Sequence, residues 1–353
     1  MAKVLMKGNE AIGAAAIKAG CKYFFGYPIT PQSELPEYMA RELPKVGGVF
    51  LQAESEIAAI NMVYGAAGAG ARVMTSSSSP GISLKQEGIS YLAGAELPCL
   101  IVNIMRGGPG LGGIQPSQTD YFQATRGGGN GDYRLVVLAP ANIQELADLV
   151  IEGFDIADQY RNPVMILGDG MIGQMMEPVE FKVPKKRELP EKDWATTGTL
   201  GKRKPNIINS LYLAAEELEE HNKKLQAKYD EIRRKEVKVE SYNIEDADVV
   251  IAAYGTTSRI VRTAIAKLER EGYKVGLIRP ITLWPYPYDE FNKINDNCKG
   301  VLTVEMNAGQ MVDDVKIAVE GRFPVYFYGR TGGMVPTPDE IVGKVKEIYG
   351  GEK

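Results

Sequence analysis

The sequence is poor in the two residue types that most often bind metals or act as nucleophile and base. It contains three cysteines and one histidine in 353 residues. Cys21, Cys99 and Cys298 lie far apart and form no CxxC pair, so we expect no metal or iron–sulfur site held by this chain alone. Each is more typical of a small apolar core residue. His221 lies in a charged helical stretch, which argues against a Ser/His/Asp set and a His-rich metal site.

Long runs of basic or apolar residues are also missing. The formal net charge is only −4, and without a basic run we expect no nucleic acid partner. No apolar run reaches the length that spans a bilayer, so we expect no membrane segment. Met1 is followed directly by a strand-like segment at residues 3–6, with no signal peptide. Together these absences predict a cytoplasmic protein.

The sequence does contain a repeated alternation of apolar strand segments and helical segments. Over residues 1–180 this alternation predicts an α/β domain with a parallel sheet. Residues 181–245 differ in composition and predict a charged connection, with an extended linker at 181–205 and one long helix at 206–238 that serves as a solvated strut or a cover. Residues 246–353 return to the alternation and predict a second, smaller α/β domain.

An acidic residue stands where an apolar helix of the first domain begins. Residues 49–51 predict the end of a buried strand, and Ser55 suits the N-cap of the helix that follows. Glu54 and Glu56 would then flank the positive end of that helix. One interpretation is an acid stabilised by the helix dipole. The other is a partly buried acid presented to a ligand.

Polar residues follow three further predicted strands of this domain. The turn GYPITP at residues 26–31 is stiffened by two prolines and presents Thr30. The serine run SSSSPG at residues 76–81 predicts a strand-to-helix loop, and Arg106 ends the apolar strand CLIVNIM. In open parallel sheets ligands bind at the carboxyl ends of the strands. We therefore expect a ligand site formed by these loops.

Taken together, these motifs resemble one family. GYPITP, ESE, SSSSPG and NIMRGGPG resemble the alpha chain of the 2-oxoacid:ferredoxin oxidoreductases, which carries the pyrimidine-side domain for thiamine diphosphate. In the second half YGTTSR, GLIRPITLWPYP and VLTVEMNAGQM resemble the transketolase C-terminal-like domain of that family. The segment GGPGLGGIQPSQTDYFQATRGGGNGDYR is most similar to the type acting on branched-chain 2-oxo acids such as 3-methyl-2-oxobutanoate. The 2-oxoglutarate enzymes are similar enough to leave the substrate open.

The resemblance implies roles for individual residues. Glu56 matches the glutamate that hydrogen-bonds the aminopyrimidine ring and favours the imino tautomer, which removes the thiazolium C2 proton. Glu54 lies only two residues away and stays an alternative. Thr30 and Arg106 match the pair that contacts the substrate carboxylate, for which the planar guanidinium is well suited. Without the resemblance Thr30 is a turn residue and Arg106 a surface ion pair. The implied cofactor contacts also include Pro28, Ile29 and Ser79.

The resemblance also implies partners. Gly168-Asp169-Gly170 looks like the start of a thiamine-diphosphate magnesium motif, but no asparagine occurs between Asn162 and Asn206 to complete it. We therefore predict a strand-end turn there, and we expect the diphosphate, Mg²⁺ and a 4Fe-4S cluster on partner chains. These would be a beta subunit and ferredoxin-like gamma and delta subunits, with ferredoxin and coenzyme A as co-reactants.

Two other classes of function stay open. A scaffold subunit could keep this fold without its site, although the joint presence of Glu56, Thr30 and Arg106 argues against it. An NAD-dependent enzyme is disfavoured because the glycine loop at residues 107–113 lacks GxGxxG spacing. The predicted activity is oxidative decarboxylation of a 2-oxo acid to acyl-CoA, with electrons passed to ferredoxin.

Overall fold

The computed structural model describes residues 3–181 and 187–350. In the first half, strands alternate with helices as predicted. The strands are β1 (Val4–Lys7), β2 (Tyr23–Gly26), β3 (Val49–Gln52), β4 (Val73–Ser77), β5 (Leu100–Met105), β6 (Val136–Leu138), β7 (Val164–Asp169) and β8 (Met176–Val179). The helices are α1 (Gly8–Lys18), α2 (Glu34–Glu42), α3 (Glu56–Gly68), α4 (Ser79–Gly94), α5 (Tyr121–Arg126), α6 (Ile143–Tyr160) and α7 (Gly170–Gln174).

The described residues of the middle of the chain form one long helix, α8 (Ala215–Lys235). The predicted start of this helix at residue 206 is wrong, because the described residues from 187 to 214 form neither helix nor strand. The helix is mostly charged and exposed, but it buries Leu225, Tyr229 and Ile232. The Tyr229 ring meets the edge of Trp284 at a centroid distance of 5.7 Å. The helix therefore covers a neighbouring surface, one of its two predicted roles.

The second half contains another α/β unit. Its strands are β9 (Val239–Tyr242), β10 (Val249–Ala252), β11 (Val275–Pro280), β12 (Thr282–Trp284), β13 (Gly300–Glu305) and β14 (Val325–Gly329). Its helices are α9 (Gly255–Arg270), α10 (Met311–Val319) and α11 (Pro338–Gly350). The fold is therefore mixed α/β with parallel sheets, as the sequence predicts.

Two large sheets contain all of these strands except β1 and β8, which pair antiparallel in a separate two-stranded sheet. The first has the order β12-β6-β7-β5-β4-β2-β3, and the second has the order β14-β13-β10-β11-β9. Each sheet is parallel except at one of its edges. In the first sheet β12 pairs antiparallel with β6, and in the second sheet β9 pairs antiparallel with β11. The strand β12 was missed from the sequence. It comes from the second half of the chain but completes the first sheet, so the two units are joined by a shared sheet.

The strand that leads to Glu56 is not buried as expected. β3 is the outermost strand of the first sheet, and Val49 and Leu51 are 45% and 41% exposed. A run of apolar residues cannot distinguish a central strand from an edge strand, because both have high β-propensity.

Gln118 links the two units at the level of their loops. Its Nε2 donates to the backbone carbonyl of Tyr254 at 3.1 Å, and its Oε1 accepts from the Thr257 hydroxyl at 2.9 Å and the Met306 amide at 3.0 Å. The Gln118 side chain is fully buried. One glutamine therefore satisfies groups at the start of α9 and after β13, and it holds the carboxyl ends of the two sheets together.

Candidate active site

Four loops that follow parallel strands meet at one edge of the first sheet. Thr30 follows β2, Glu56 follows β3, Ser79 follows β4 and Arg106 follows β5. These four strands are neighbours in the order β5-β4-β2-β3. Because the carboxyl ends of parallel strands lie at the same edge, residues far apart in sequence are brought to one row of loops.

Glu56 is the first residue of α3 and is buried. The Ser55 hydroxyl accepts a hydrogen bond from the Ala58 amide at 3.1 Å, so Ser55 is the N-cap that the sequence predicted. Glu56 is only 7% exposed, whereas Glu54 is exposed. Burial thus distinguishes the two acids, because only Glu56 is enclosed by the protein.

The Glu56 carboxylate packs against the first turn of α4. A Cβ built on Gly81 would lie 2.7 Å from Oε1 of Glu56 and 2.0 Å from Oγ of Ser77. No side chain fits at either distance, so this close approach of helix and acid requires glycine. The SSSSPG motif therefore contributes a glycine that lets Glu56 lie against the end of β4.

Arg106 is buried beside the turn after β2. Its side chain is 6% exposed, and its two terminal nitrogens donate to the backbone carbonyls of Thr30 and Leu111, each at 3.0 Å. The alternative of a surface ion pair does not apply, because Arg106 is buried and no carboxylate among the described residues pairs with its guanidinium. The structure thus brings Thr30 and Arg106 together through a backbone contact.

Ser79 is occupied by contacts within the chain. Its hydroxyl lies 2.6 Å from Oδ2 of Asp120, to which it donates, and it accepts from the Arg106 amide at 3.1 Å. Asn103 donates to the same Asp120 oxygen at 2.9 Å. Burial raises the pKa of Asp120. Asp120 and Asn103 were not predicted from the sequence, where Asp120 is marked only as an acid that follows the glycine-rich loop.

Several buried donors at this edge lack a partner among the described residues. They are Gln32 Nε2, Ser77 Oγ, Ser78 Oγ and Arg106 Nε. A buried polar group without a hydrogen bond costs about 1 to 3 kcal/mol, so such a set indicates a site that a ligand completes. Hydroxyl and amide donors beside Glu56 fit a polar heterocycle, and the free edge of the guanidinium fits a carboxylate.

The turn after β2 lies on the rim of this site. Pro28 and Thr30 are exposed and Ile29 is half-buried. The turn is held by Asn9, whose side-chain amide donates to the Pro31 carbonyl at 2.8 Å. Cofactor contacts of Pro28 and Ile29, and of the Thr30 side chain, stay predictions.

Asp169 ends β7 and caps the short helix α7, where the GDG sequence was predicted to form a strand-end turn. One carboxylate oxygen accepts from the amides of Met171 and Ile172 at 2.8 and 3.1 Å and caps α7, and the other accepts from the Thr256 hydroxyl. Burial raises the pKa of Asp169. Its oxygens are thus used in capping and in joining the two units. Within the described ranges, no group of three His, Cys, Asp or Glu side chains is placed to hold a metal ion.

A cavity of about 650 Å³ opens next to Ser79 and Asp120, between the two units. Ser79, Asp120 and the glycine-rich loop at residues 107–110 line one wall, and Gln310 and Gly332 line the other. Its size suits a small organic ligand.

Comparison with known proteins identifies the family. Residues 14–241 match the family model described as pyruvate flavodoxin/ferredoxin oxidoreductase, thiamine diphosphate-binding, and residues 247–341 match core domain II of pyruvate:ferredoxin oxidoreductase. The chain belongs to the 2-oxoacid:ferredoxin oxidoreductase family. It is thus an oxidoreductase subunit with a thiamine diphosphate-binding domain, as the motifs implied.

Two kinds of curated relative align over nearly the whole of this oxidoreductase subunit. A ketoisovalerate oxidoreductase subunit VorB from Methanothermobacter thermautotrophicus is 49% identical, with 99% of each chain covered. A 2-oxoglutarate synthase subunit KorA from Methanothermobacter marburgensis is 37% identical, with 96% of this chain and 97% of the relative covered. Both names are those of 2-oxo acid enzymes.

Solved structures agree with the family and the fold. A 2-oxoglutarate:ferredoxin oxidoreductase from Magnetococcus marinus, solved with 2-oxoglutarate, coenzyme A and succinyl-CoA, superposes with a TM-score of 0.85 at 31% identity. The superposition covers 98% of this subunit but 65% of that longer chain. A split-gene transketolase superposes with a TM-score of 0.60 at 15% identity, which shows a shared fold. Within residues 3–181 and 187–350, no helix is both long and apolar enough to cross a membrane.

Proposed function

We propose that this chain is the alpha subunit of a thiamine-dependent enzyme that converts a branched-chain 2-oxo acid to acyl-CoA and passes electrons to ferredoxin. The observation that carries the proposal is the enclosure of Glu56 against Gly81, on the same row of loops as Arg106 and unpaired donors. The branched-chain substrate is supported by the 49% identity to VorB, against 37% to KorA.

Glu56 would hold the aminopyrimidine ring of thiamine diphosphate. An acid activates that ring only where water does not compete for it, and Glu56 is 7% exposed at a capped helix start. When bound, thiamine diphosphate supplies the nucleophilic carbon that attacks the 2-oxo group. Of the two acids of the ESE motif, burial supports Glu56 over the exposed Glu54.

Arg106 and Thr30 would orient the substrate carboxylate. Arg106 is fixed by the carbonyls of Thr30 and Leu111, which leaves its Nε and the remaining N–H groups for a carboxylate. Ser79, predicted to touch the cofactor, is instead proposed to act through Arg106, because its hydroxyl accepts from the Arg106 amide and donates to Asp120. Pro28 and Ile29 would line the rim.

Other parts of the reaction are proposed to lie on partner chains. A beta subunit would hold the diphosphate and Mg²⁺, gamma and delta subunits would be ferredoxin-like, and the 4Fe-4S cluster that passes electrons to ferredoxin would lie on these partner chains. This assignment is supported by the use of Asp169 as a helix cap and contact to Thr256. The three-part division at residues 180 and 245 and the cytoplasmic location stay predictions.

The experiment is purification of the complex that assembles on the tagged chain, followed by identification of its subunits by mass spectrometry. The purified complex is then assayed for ferredoxin reduction with 3-methyl-2-oxobutanoate and with 2-oxoglutarate. The proposal predicts co-purifying iron–sulfur subunits and a higher kcat/KM for the branched acid. A higher value for 2-oxoglutarate would favour the second candidate substrate, and a complex in which Glu56→Gln has no effect would favour a scaffold subunit.

A further inference from the structure

Lys85 is a buried lysine that the roles above do not use. It lies on α4, one helical turn after Gly81, and its side chain is fully buried. Its ammonium donates to the Thr75 hydroxyl at 2.6 Å and to the Ser76 carbonyl at 3.1 Å. Lysine is almost never fully buried unless it is paired with an opposite charge. The residue therefore requires an explanation.

No direct ion pair explains the burial. Both acceptors are neutral, and within the described part of the chain no carboxylate oxygen lies within 4.0 Å of the ammonium. The charged or titratable groups that act on Lys85 are Glu56 on α3 and, more weakly, the thiol of Cys99 before β5. Burial lowers the pKa of Lys85 to about 7, and Glu56 opposes that shift. Lys85 and Glu56 are thus near enough to interact without touching.

The geometry of α4 explains why Glu56 is the relevant acid. Gly81 and Lys85 are four residues apart on one helix and share a face. The Glu56 carboxylate packs against Gly81, and the Lys85 ammonium reaches the backbone of β4 on the same side. Two charges of opposite sign are therefore enclosed between α3, α4 and β4, where the dielectric is low and a charge acts over a longer distance than in water.

We propose that Lys85 is a positioning residue whose buried ammonium is the counter-charge to the Glu56 carboxylate between α3 and α4. This role in cofactor activation rests on the proposed function of Glu56, but the charge pair itself does not. Coupling between two titrating groups is reciprocal, so the effect of Glu56 on Lys85 equals the effect of Lys85 on Glu56. A ligand that shares a proton with Glu56 would therefore also change the charge on Lys85.

The pair can be tested in the full chain without a cofactor. Lysines are labelled with ¹³C at Cε, and their titration is followed by NMR; the Lys85 signal is assigned by its loss in Lys85→Met and, independently, by its midpoint near neutral pH. In Glu56→Gln we expect the Lys85 midpoint to fall by about one pH unit, because an opposite charge is removed. Glu54→Gln should not change the Lys85 midpoint. An unchanged midpoint in Glu56→Gln would overturn the inference.

A second lysine provides the matched control. Lys228 on α8 is also largely buried, with a pKa lowered by burial to about 8, but it pairs with Glu96 at 3.4 Å. Its midpoint should not respond to Glu56→Gln. A joint movement of Lys85 and Lys228 would mean that the substitution changes the whole fold, and it would contradict a local pair.

The catalytic consequence is measured in the reassembled complex by exchange of the thiamine C2 proton as a function of pH. Lys85→Met should move the acidic side of that profile to higher pH by about one unit, because a carboxylate takes up a proton more readily when a nearby cation is removed. An unchanged profile would overturn the positioning role. One further result separates the charge pair from the proposed function. If Glu56→Gln lowers the Lys85 midpoint but leaves C2-proton exchange normal, the charge pair is supported and the proposed function of Glu56 is contradicted.

Discussion

Glu56 and Gly81 touch across the junction of α3 and α4, such that a Cβ on Gly81 would lie 2.7 Å from Oε1 of Glu56. The contact places an enclosed acid at the carboxyl end of β4, beside the donors of the serine loop. It also makes the position of the acid sensitive to a single methyl group, which gives a direct test of the site.

We predict that Gly81→Ala displaces Glu56 and reduces thiamine activation. The new methyl group would also overlap Ser77 Oγ, so we expect a loss of stability of about 1 to 3 kcal/mol, the usual cost of overpacking. The measurements are urea denaturation of the chain and C2-proton exchange in the complex.

The control for that change is Gly65→Ala, in the same helix as Glu56. Nothing lies within 4 Å of a Cβ built on Gly65. Alanine there should be neutral or stabilise the chain by about 0.4 to 1 kcal/mol. Equal loss of exchange in both variants would mean that the Gly81 contact has no special role.

We predict that Arg106→Lys weakens use of the 2-oxo acid more than binding of thiamine. The planar arginine group contacts the Thr30 and Leu111 carbonyls and at the same time presents its Nε to a carboxylate. Lysine keeps the charge but has no such planar group. In the assembled complex the KM for the 2-oxo acid should rise at least about tenfold, on the scale of one lost charged hydrogen bond. The affinity for thiamine diphosphate, measured by calorimetry, should not change. Unaltered kinetics would return Arg106 to a structural role.

We predict that Gln118→Ala loosens the contact between the two units. It would remove the side-chain hydrogen bond to the Tyr254 carbonyl and the acceptor of the Thr257 hydroxyl and the Met306 amide, at a cost of about 1 to 3 kcal/mol for a buried unsatisfied group. Urea denaturation of the chain measures this loss. Gln226→Ala is the control, because Gln226 makes one exposed hydrogen bond to the Asp132 carbonyl at 2.9 Å. A similar effect of both changes would contradict a special role for Gln118.

We predict that Lys85 makes stability depend on pH in the alkaline range. Its folded pKa of about 7 lies below the usual 10.5, so the unfolded chain binds more protons between those values and stability rises with pH. Relative to Lys85→Met, the free energy of unfolding of the natural chain should rise by at most about 1.4 kcal/mol per pH unit from pH 7 to pH 10. Below pH 7 the difference should be flat. A difference that does not change with pH would contradict this assignment.

The sequence allowed the α/β architecture, the Ser55 cap and the row of strand-end residues to be predicted, because each depends on local signals. Periodicity, capping and the position of polar residues after apolar strands are all visible in one segment at a time. The pairing of β12 with β6 was not visible, because it joins segments that are more than a hundred residues apart.

The same limit applies inside the site. Ser79 was expected to face a cofactor, but its partner Asp120 lies 41 residues further along the chain, and nothing near Ser79 indicates it. The burial of Lys85 could not be predicted from the sequence, because a lysine in a mixed helical segment normally points to solvent. Long-range contacts decided which polar residues were available to a ligand.

The most direct test of the central claim is exchange of the thiamine C2 proton into deuterated solvent, measured by NMR in complexes with Glu56→Gln and Glu54→Gln. Both changes remove one charge near the start of α3, where a dipole interaction is worth about 0.3 to 1 kcal/mol. Only Glu56 is buried against Gly81, so we predict that Glu56→Gln slows exchange about a hundredfold or more while Glu54→Gln leaves it near normal. The reverse pattern would assign the role to Glu54, and normal exchange in both variants would contradict the account.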